Sequence, residues 1–221
     1  MAYSALPAKV ASDTLTLTNY NAIKGNFEAG VPDIFTAAGD IAYATAANAA
    51  SALAIGTADG FLVAGASAPA WQIAPAARVA NSADIDPATG SWVTLTFDTE
   101  DGTYDTFDTD AMHSVASNTG RLTCPTNGDG LYLIGGCVKL DASGAGTSDA
   151  GLRIYLNGST AIHTEFNSYT KESSIEIAVC TLYKLSATDY VELQVYTESD
   201  FDVKQVSNSS PVFWAQWVRR Q

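Results

Sequence analysis

The 221-residue sequence predicts an all-β protein whose C-terminal part is a sandwich or a jelly roll. Three observations indicate this fold. The mostly apolar run at 131–140 is bounded on both sides by Gly/Asn/Asp-rich segments, as is typical of a central antiparallel strand. About nine short runs of this kind follow from Trp92 onward, with turn residues at near-regular spacing. Asn157-Gly158 lies between two of them and is a strong signal for a two-residue hairpin.

Residues 1–34 are predicted to form an extended arm followed by one short helix. Thr18 is a good N-cap, and Tyr20, Ile23 and Phe27 fall on one face of the helix that follows. A helix of about three turns is marginal by itself in water. Identical stripes from sister subunits would cover this apolar face, so these three side chains are candidate trimer-interface residues.

Residues 35–74 are rich in Ala and Gly and almost without charge. Repeated glycines and Pro69 argue against an Ala-rich helix, so short extended pieces are predicted at 40–44, 52–55 and 60–63. Small side chains let backbones approach closely, which three chains winding round one axis could use. The segment is therefore interpreted as a trimerising segment or stalk.

Residues 75–90 are rich in turn residues and are interpreted as a linker to a jelly-roll domain at 91–221. Nine strands are predicted in that domain, at 92–97, 113–115, 121–124, 131–140, 152–156, 161–166, 174–185, 190–197 and 212–218.

The last predicted strand carries three large aromatic side chains. Because neighbours in a strand point to opposite faces, Phe213 and Trp217 share one face and Trp214 takes the other. One face should belong to the core, and subunit contact is favoured over ligand binding for the other. All three residues are candidate trimer-interface positions.

Composition limits the partners that the protein can take. The chain has 24 acidic and 11 basic residues, which gives a net charge of −13. This charge argues against nucleic acid, whose phosphates would be repelled, and against an anionic membrane. No apolar run approaches the ~20 residues of a membrane span, so no membrane insertion is expected.

The chemistry-bearing residues give weak signals. Asp98, Glu100, Asp101 and Asp105 lie in an acidic run and are weak Ca²⁺ candidates, because oxygen-rich clusters can hold this ion. The EF-hand spacing fails, since the twelfth position counted from Asp98 is Thr109. A solvated acidic loop is therefore favoured, and no other cofactor is expected.

No catalytic residue is assigned. His113 and His163 have no Cys or paired acid nearby in sequence and are predicted to be ordinary strand residues. No nucleophile elbow, H-E-x-x-H motif or phosphate-binding Gly loop is present. The chain is therefore predicted to be non-enzymatic, although a glycosidase carboxylate pair stays open because such pairing is spatial. Its three cysteines, Cys124, Cys137 and Cys180, are expected as buried, reduced thiols.

Five motifs follow one another in the C-terminal part. They are W-V-T-L-T-F-D at 92–98, R-L-T-C-P-T-N-G-D-G-L-Y-L-I at 121–134, L-R-I-Y-L-N-G at 152–158, L-S-A-T-D-Y-V-E-L-Q-V-Y at 185–196 and V-F-W-A-Q-W-V at 212–218. In order and composition they resemble the C1q/TNF-like jelly roll. The resemblance covers residues 91–221. It implies an antiparallel jelly roll of about ten strands that forms a tight trimer.

A second resemblance covers roughly residues 20–71. It depends on N-F-E-A-G-V-P-D-I-F-T-A-A-G-D-I-A-Y-A-T, A-L-A-I-G-T-A-D-G-F-L-V-A and S-A-P-A-W. These pieces resemble segments that precede or cap fibre domains in tailed-phage virion proteins. The chain shows neither the signal peptide nor the collagen G-X-Y stalk of secreted C1q proteins. A virion origin explains both, so we expect a protein made in the host cytoplasm and placed on the particle surface.

These observations predict a trimeric, non-enzymatic virion structural protein. Its N-terminal part would dock onto capsid, portal or tail proteins, and its jelly roll would be an outward knob. The knob would engage a host-surface glycan or protein through its distal loops. The alternative is a capsid decoration or turret protein, also called a head fibre, without a dedicated receptor. A hydrolase that acts on cell-surface polysaccharide is a third hypothesis.

Overall fold

The computed structural model describes residues 35–220, except residues 48, 57, 59, 66, 143–145 and 171–173. The chain divides into two units, Met1–Gln72 and Ile73–Gln221. The predicted arm and helix, with Tyr20, Ile23 and Phe27, lie outside the described residues. No helix in the described part of the chain is long and apolar enough to span a membrane.

The described part of the first unit consists of short antiparallel hairpins. β1 (Ile41–Ala46) pairs with β2 (Ala49–Leu53), and β3 (Phe61–Ala64) pairs with β4 (Pro69–Gln72). The extended pieces predicted at 40–44, 52–55 and 60–63 overlap three of these strands. Most side chains of β1 and β2 are exposed, and an isolated two-stranded hairpin is marginal in water.

Two polar contacts fix the connections between these hairpins. The carboxylate of Asp40 accepts hydrogen bonds from the backbone N–H groups of Thr36, Ala37 and Ile55, and these bonds lower the pKa of Asp40. The indole N–H of Trp71 donates to the carbonyl oxygen of Ala54 at 2.7 Å. Local hydrogen bonding therefore supplies order where the small side chains bury little area.

The second unit contains the remaining strands and a 3-10 turn at Thr103–Asp105. The strands are β5 (Ala76–Ala80), β6 (Trp92–Thr94), β7 (Phe107–Asp108), β8 (Arg121–Thr123), β9 (Gly130–Ala142), β10 (Thr147–Leu156), β11 (Thr160–Thr170), β12 (Ile175–Leu185), β13 (Tyr190–Thr197), β14 (Phe201–Lys204) and β15 (Val212–Arg219).

These strands form two antiparallel sheets. The six-stranded sheet has the order β12-β9-β15-β5-β7, with β14 also paired to β9. The five-stranded sheet has the order β11-β10-β13-β6, with β8 also paired to β13. From β9 onward the chain passes repeatedly between the two sheets, which is the connectivity of a jelly roll. The fold class that the sequence predicts is confirmed, and β9 is a central strand.

One apolar core lies between the sheets. Strand alternation buries Tyr132, Ile134 and Leu140 of β9, whereas the outward-facing residues Leu131, Leu133 and Lys139 keep some exposure. Leu193 of β13 comes from the opposite sheet to lie against Gly136, where an added Cβ would be 2.7 Å from the Leu193 side chain. The close approach of the two sheets therefore depends on a residue without a side chain.

The domain boundaries differ from the predicted ones. The predicted linker 75–90 contains β5, which pairs with β15 and β7, so the jelly-roll unit starts upstream of residue 91. Ala77 and Val79 of β5 are fully buried, and this burial holds the strand in the sheet.

The predicted strand at 113–115 is wrong, since these residues belong to no strand. The Asp108 carboxylate accepts the backbone N–H groups of Met112 and His113 and thereby turns the chain.

We predict that Gly135→Ala will destabilise the jelly roll by about 1–3 kcal/mol. An added Cβ would lie 2.4 Å from the ring of Trp214 and 2.9 Å from the carbonyl oxygen of Val179, so both neighbours would have to move. Urea unfolding measures the loss, and tryptophan fluorescence reports the ring displacement. The same change should cost less in a Trp214→Ala background. Wild-type stability of Gly135→Ala would contradict the proposed close contact.

Candidate functional site

The side chains that point away from the core of the six-stranded sheet form a largely apolar surface, which we name the outer apolar face. Strands β9, β12, β15, β5 and β7 all contribute to it. Its apolar members are Leu131, Leu133, Cys137, Ala178, Cys180, Leu182, Trp214, Val218, Ala76 and Phe107, and two polar residues, Gln216 and Arg78, lie among them.

Strand register places these residues in continuous rows. Gly135 lies between Cys180 and Trp214, and its missing side chain gives the indole room to lie close to the sheet. One row along, Leu133 lies next to Leu182, which is 56% exposed. Across β12 and β9, together with Trp214 of β15, the result is a contiguous apolar surface, which on a protein's exterior marks an interaction site.

Charged residues lie at both ends of this face and beside Trp214, where Arg78 of β5 separates Trp214 from Phe107 of β7. At one end, Leu131 pairs with Lys184 on one side and Arg219 on the other. At the other end, Glu176 pairs with Lys139. An apolar centre with a polar rim is the usual anatomy of a protein–protein interface.

The predicted aromatic alternation in the last strand is confirmed, and two of the three interface assignments are corrected. Phe213 is 0% exposed and stacks on Phe97, with ring centroids 5.8 Å apart. Trp217 is 8% exposed and its indole N–H donates to the carbonyl oxygen of Asp129 at 3.3 Å. Both side chains therefore belong to the interior. Trp214 lies on the outer apolar face, and its role in subunit contact stays a prediction.

The three cysteines are free thiols in different surroundings. Cys124 is buried, with its Sγ 3.6 Å from the Tyr132 hydroxyl, and burial raises the pKa of its thiol. Cys137 donates to the carbonyl oxygen of Ser209 at 2.8 Å, and burial also raises its pKa. Cys180 is exposed, which corrects the expectation that all three are buried. Its strand neighbours on the outer face give it an apolar setting.

The acidic candidates do not converge on one point. The Asp98 carboxylate accepts the backbone N–H of Ser82 at 2.8 Å, and Asp101 accepts that of Thr103 at 3.3 Å. Asp105 accepts the side-chain amide of Asn208 at 2.5 Å. Within the described ranges, no three His, Cys, Asp or Glu side chains are grouped to hold a metal ion.

Glu100, the fourth acidic candidate, contacts a histidine instead. His113 Nδ1 lies 2.5 Å from Glu100 Oε2, and Nε2 lies 3.0 Å from the carbonyl oxygen of Thr119. A carbonyl oxygen only accepts, so Nε2 carries a proton. The sequence did not reveal this pair of a buried histidine and a partly exposed glutamate, because its members are 13 positions apart in the chain and no motif links them. His163 lies in β11, as predicted, with Nε2 3.4 Å from Glu165.

No protein-family model and no curated protein matches this chain. Among solved structures, the chain is similar to the globular domain of zebrafish complement 1qA protein. That similarity has 14% sequence identity and a TM-score of 0.46, and it covers 66% of this chain and 99% of that chain. The chain is also similar to murine APRIL at pH 5.0, with 7% identity, a TM-score of 0.46 and the same coverage. The strand order described above independently defines an all-β jelly roll.

Proposed function

We propose that this protein is a non-enzymatic structural component of a virion and that it assembles as a homotrimer through the outer apolar face. The observation that carries the assembly is the apolar centre of that face between two charged ends. Association would remove Leu182, Val218 and Phe107 from water, and burial of apolar surface dominates protein association. The resemblance of residues 91–221 to the C1q/TNF-like jelly roll supports three-fold symmetry.

The virion assignment is supported by the resemblance of residues 20–71 to segments of tailed-phage virion proteins. In this proposal the N-terminal part docks onto capsid, portal or tail proteins, and the jelly roll is the outward knob. The protein would be made in the host cytoplasm and reach the particle surface by assembly. Three copies of a weak site on one knob gain avidity when a host surface repeats its glycan or protein ligand.

Two experiments test this function. Labelling the jelly roll in purified particles and imaging them by electron microscopy should locate it at the particle surface. The isolated trimer should bind host cells and compete with particles for attachment. Surface labelling without cell binding would favour the decoration or turret alternative. Absence of the protein from particles would refute both.

We predict that Cys180 will be protected from iodoacetamide in the trimer and will react about tenfold faster after dissociation by dilution. Cys180 is exposed on the outer apolar face, whereas Cys124 and Cys137 are less accessible and have raised pKa values. Mass spectrometry of the alkylated peptides measures each rate. Cys180→Ser should abolish the fast phase. Equal Cys180 rates in both states would place this residue outside the contact.

A further inference from the structure

The outer surface of the five-stranded sheet carries a second cluster, which we name the cation–aromatic strip. It consists of Trp92, Arg153, Tyr155, Phe166 and Tyr196. The guanidinium carbon of Arg153 lies 4.4 Å from the ring centroid of Trp92 and 4.2 Å from that of Tyr155. Trp92 continues the strip to Tyr196 at 5.6 Å and to Phe166 at 6.2 Å.

Strand register builds this strip from four strands that are distant in sequence. Gly151 of β10 lies between Phe166 of β11 and Tyr196 of β13, and Trp92 of β6 pairs with Tyr196. A Cβ on Gly151 would be 2.5 Å from the Phe166 ring and 2.9 Å from the Trp92 ring. The rings therefore close over this glycine in a fixed arrangement.

Arg153 is held in a way that favours an external anion. Its Nε donates to Gln194 Oε1 at 2.8 Å, and two aromatic rings flank the guanidinium. Among the described residues, no carboxylate forms an ion pair with Arg153, although the chain carries 24 acidic residues. Burial lowers the pKa of Arg153, so its charge is partly desolvated without a counter-ion.

Arg121 on the same sheet surface provides the contrast. It also lies over an aromatic ring, with its guanidinium carbon 3.9 Å from the centroid of Tyr190. Its Nε is 3.2 Å from Glu192 Oε1, so the protein itself supplies the counter-ion. A planar guanidinium recognises a carboxylate through its N–H edge, and rings on its faces leave that edge as the route of approach.

The surroundings of Arg153 limit the chemical class of the ligand that carries the anionic group. Phe166 is 47% exposed and offers apolar area beside Arg153. Gln194 is buried, and its amide donates to Thr94 Oγ1 at 2.9 Å and to Glu192 Oε2 at 3.4 Å, so the Thr94 hydroxyl is the neutral group of this pair that can donate to a ligand hydroxyl. The net charge of −13 repels polyanions such as nucleic acid and sulfated chains. A single carboxylate on an otherwise neutral, hydroxyl-rich ligand fits these conditions.

We propose that the cation–aromatic strip binds a saccharide bearing a carboxylate, with the carboxylate on Arg153 and a sugar C–H face against the exposed ring of Phe166. The proposal names a ligand class for the adhesive function above and rests on that function only for its biological meaning. Binding itself is a property of the isolated protein and is measured without particles or cells.

The test uses the full-length protein with 3′-sialyllactose and a hyaluronan disaccharide as probes that carry one carboxylate each, and lactose as the neutral control. Saturation-transfer difference NMR and tryptophan fluorescence quenching follow binding. Both carboxylated probes should bind at least about tenfold more tightly than lactose. Arg153→Gln should weaken binding about tenfold or more, because it removes the positively charged guanidinium and its paired N–H donors. Arg153→Lys keeps the charge and should weaken binding about threefold to tenfold, and Phe166→Ala about threefold.

The matched control is Arg121→Gln, which removes a positive charge from the same sheet outside the strip and keeps an N–H donor for Glu192. Its affinity should stay within about twofold of wild type. Thermal unfolding and sedimentation confirm that each variant is folded and assembled. Failure of both carboxylated probes to bind, equal binding of lactose, or wild-type binding by Arg153→Gln would overturn the proposal. Binding of an acidic hexapeptide in place of the saccharides would also overturn it.

These results are separable from the proposed adhesive function. If neither carboxylated probe binds but the wild-type protein still adheres to host cells, the strip proposal fails and the adhesive function stands. If the carboxylated probes bind and Arg153→Gln releases them, but the trimer adheres to no host cell, the strip proposal stands and the adhesive function fails.

Discussion

Leu182→Asp will convert the assembled protein into single chains. The Leu182 side chain is 56% exposed in the isolated chain, so the substitution leaves the core of the jelly roll intact. In the proposed assembly each subunit would bury a new carboxylate in apolar surroundings, and an unpaired buried charge costs about 3–5 kcal/mol. Sedimentation velocity should show the mass falling from three times 23.1 kDa to 23.1 kDa.

The matched control for this prediction is Val115→Asp. Val115 is also an exposed aliphatic residue, at 45%, and it lies in a loop outside the strands that form the outer apolar face. This variant should sediment as wild type does, because its charge stays in water. A wild-type protein that sediments only at 23.1 kDa, or an assembled Leu182→Asp, would refute the interface.

Phe213→Ala will lower the free energy of unfolding by about 3–5 kcal/mol, as truncation of a buried aromatic residue does. Phe213 is fully buried and stacks on Phe97, so the substitution leaves a cavity between the sheets. Urea unfolding in the Leu182→Asp background measures the effect on single chains, without the concentration dependence that assembly brings.

Trp214→Ala in the same background tests the opposite face of the same strand. Trp214 is only partly buried and contacts the sheet at Gly135, so its truncation should cost clearly less than that of Phe213. In the wild-type background the order of effects on assembly should reverse, with Trp214→Ala weakening the trimer more. A larger stability loss for Trp214→Ala than for Phe213→Ala in single chains would contradict the assignment of the two faces.

Long, regular elements of this fold were predictable from sequence. The central strand β9 and the neighbouring strands carry clear runs of apolar residues between turn residues. Asn157 and Gly158 both adopt positive φ, at 50° and 63°, as the predicted two-residue hairpin requires. Alternation along β15 separated Trp214 from Phe213, because side-chain direction has a strict period of two in a strand.

Other features depend on pairing between distant residues. β7 has two residues and β14 four, which is too short for a periodic signal. β5 is held by its pairing with β15, more than 130 residues away in the chain. Sequence reasoning does not reveal so distant a pairing, and the turn residues that flank β5 therefore suggested a linker. Cys180 is exposed because alternate residues of β12 point to opposite sides of the sheet, and Cys180 is on the side that forms the outer apolar face. The Arg153 cluster joins residues of β6, β10, β11 and β13, and none of them carries a local motif.

At Gly135 and Gly136, only the backbone of β9 separates the side chains on the two sides of the sheet. One glycine admits the Trp214 indole on the exterior, and the next admits Leu193 on the interior. In the proposed trimer, a neighbouring subunit that contacts the Trp214 indole would therefore act on the core through a single backbone segment. Amide hydrogen exchange at this point of β9 should slow on association, so that quaternary contact and internal rigidity rise together.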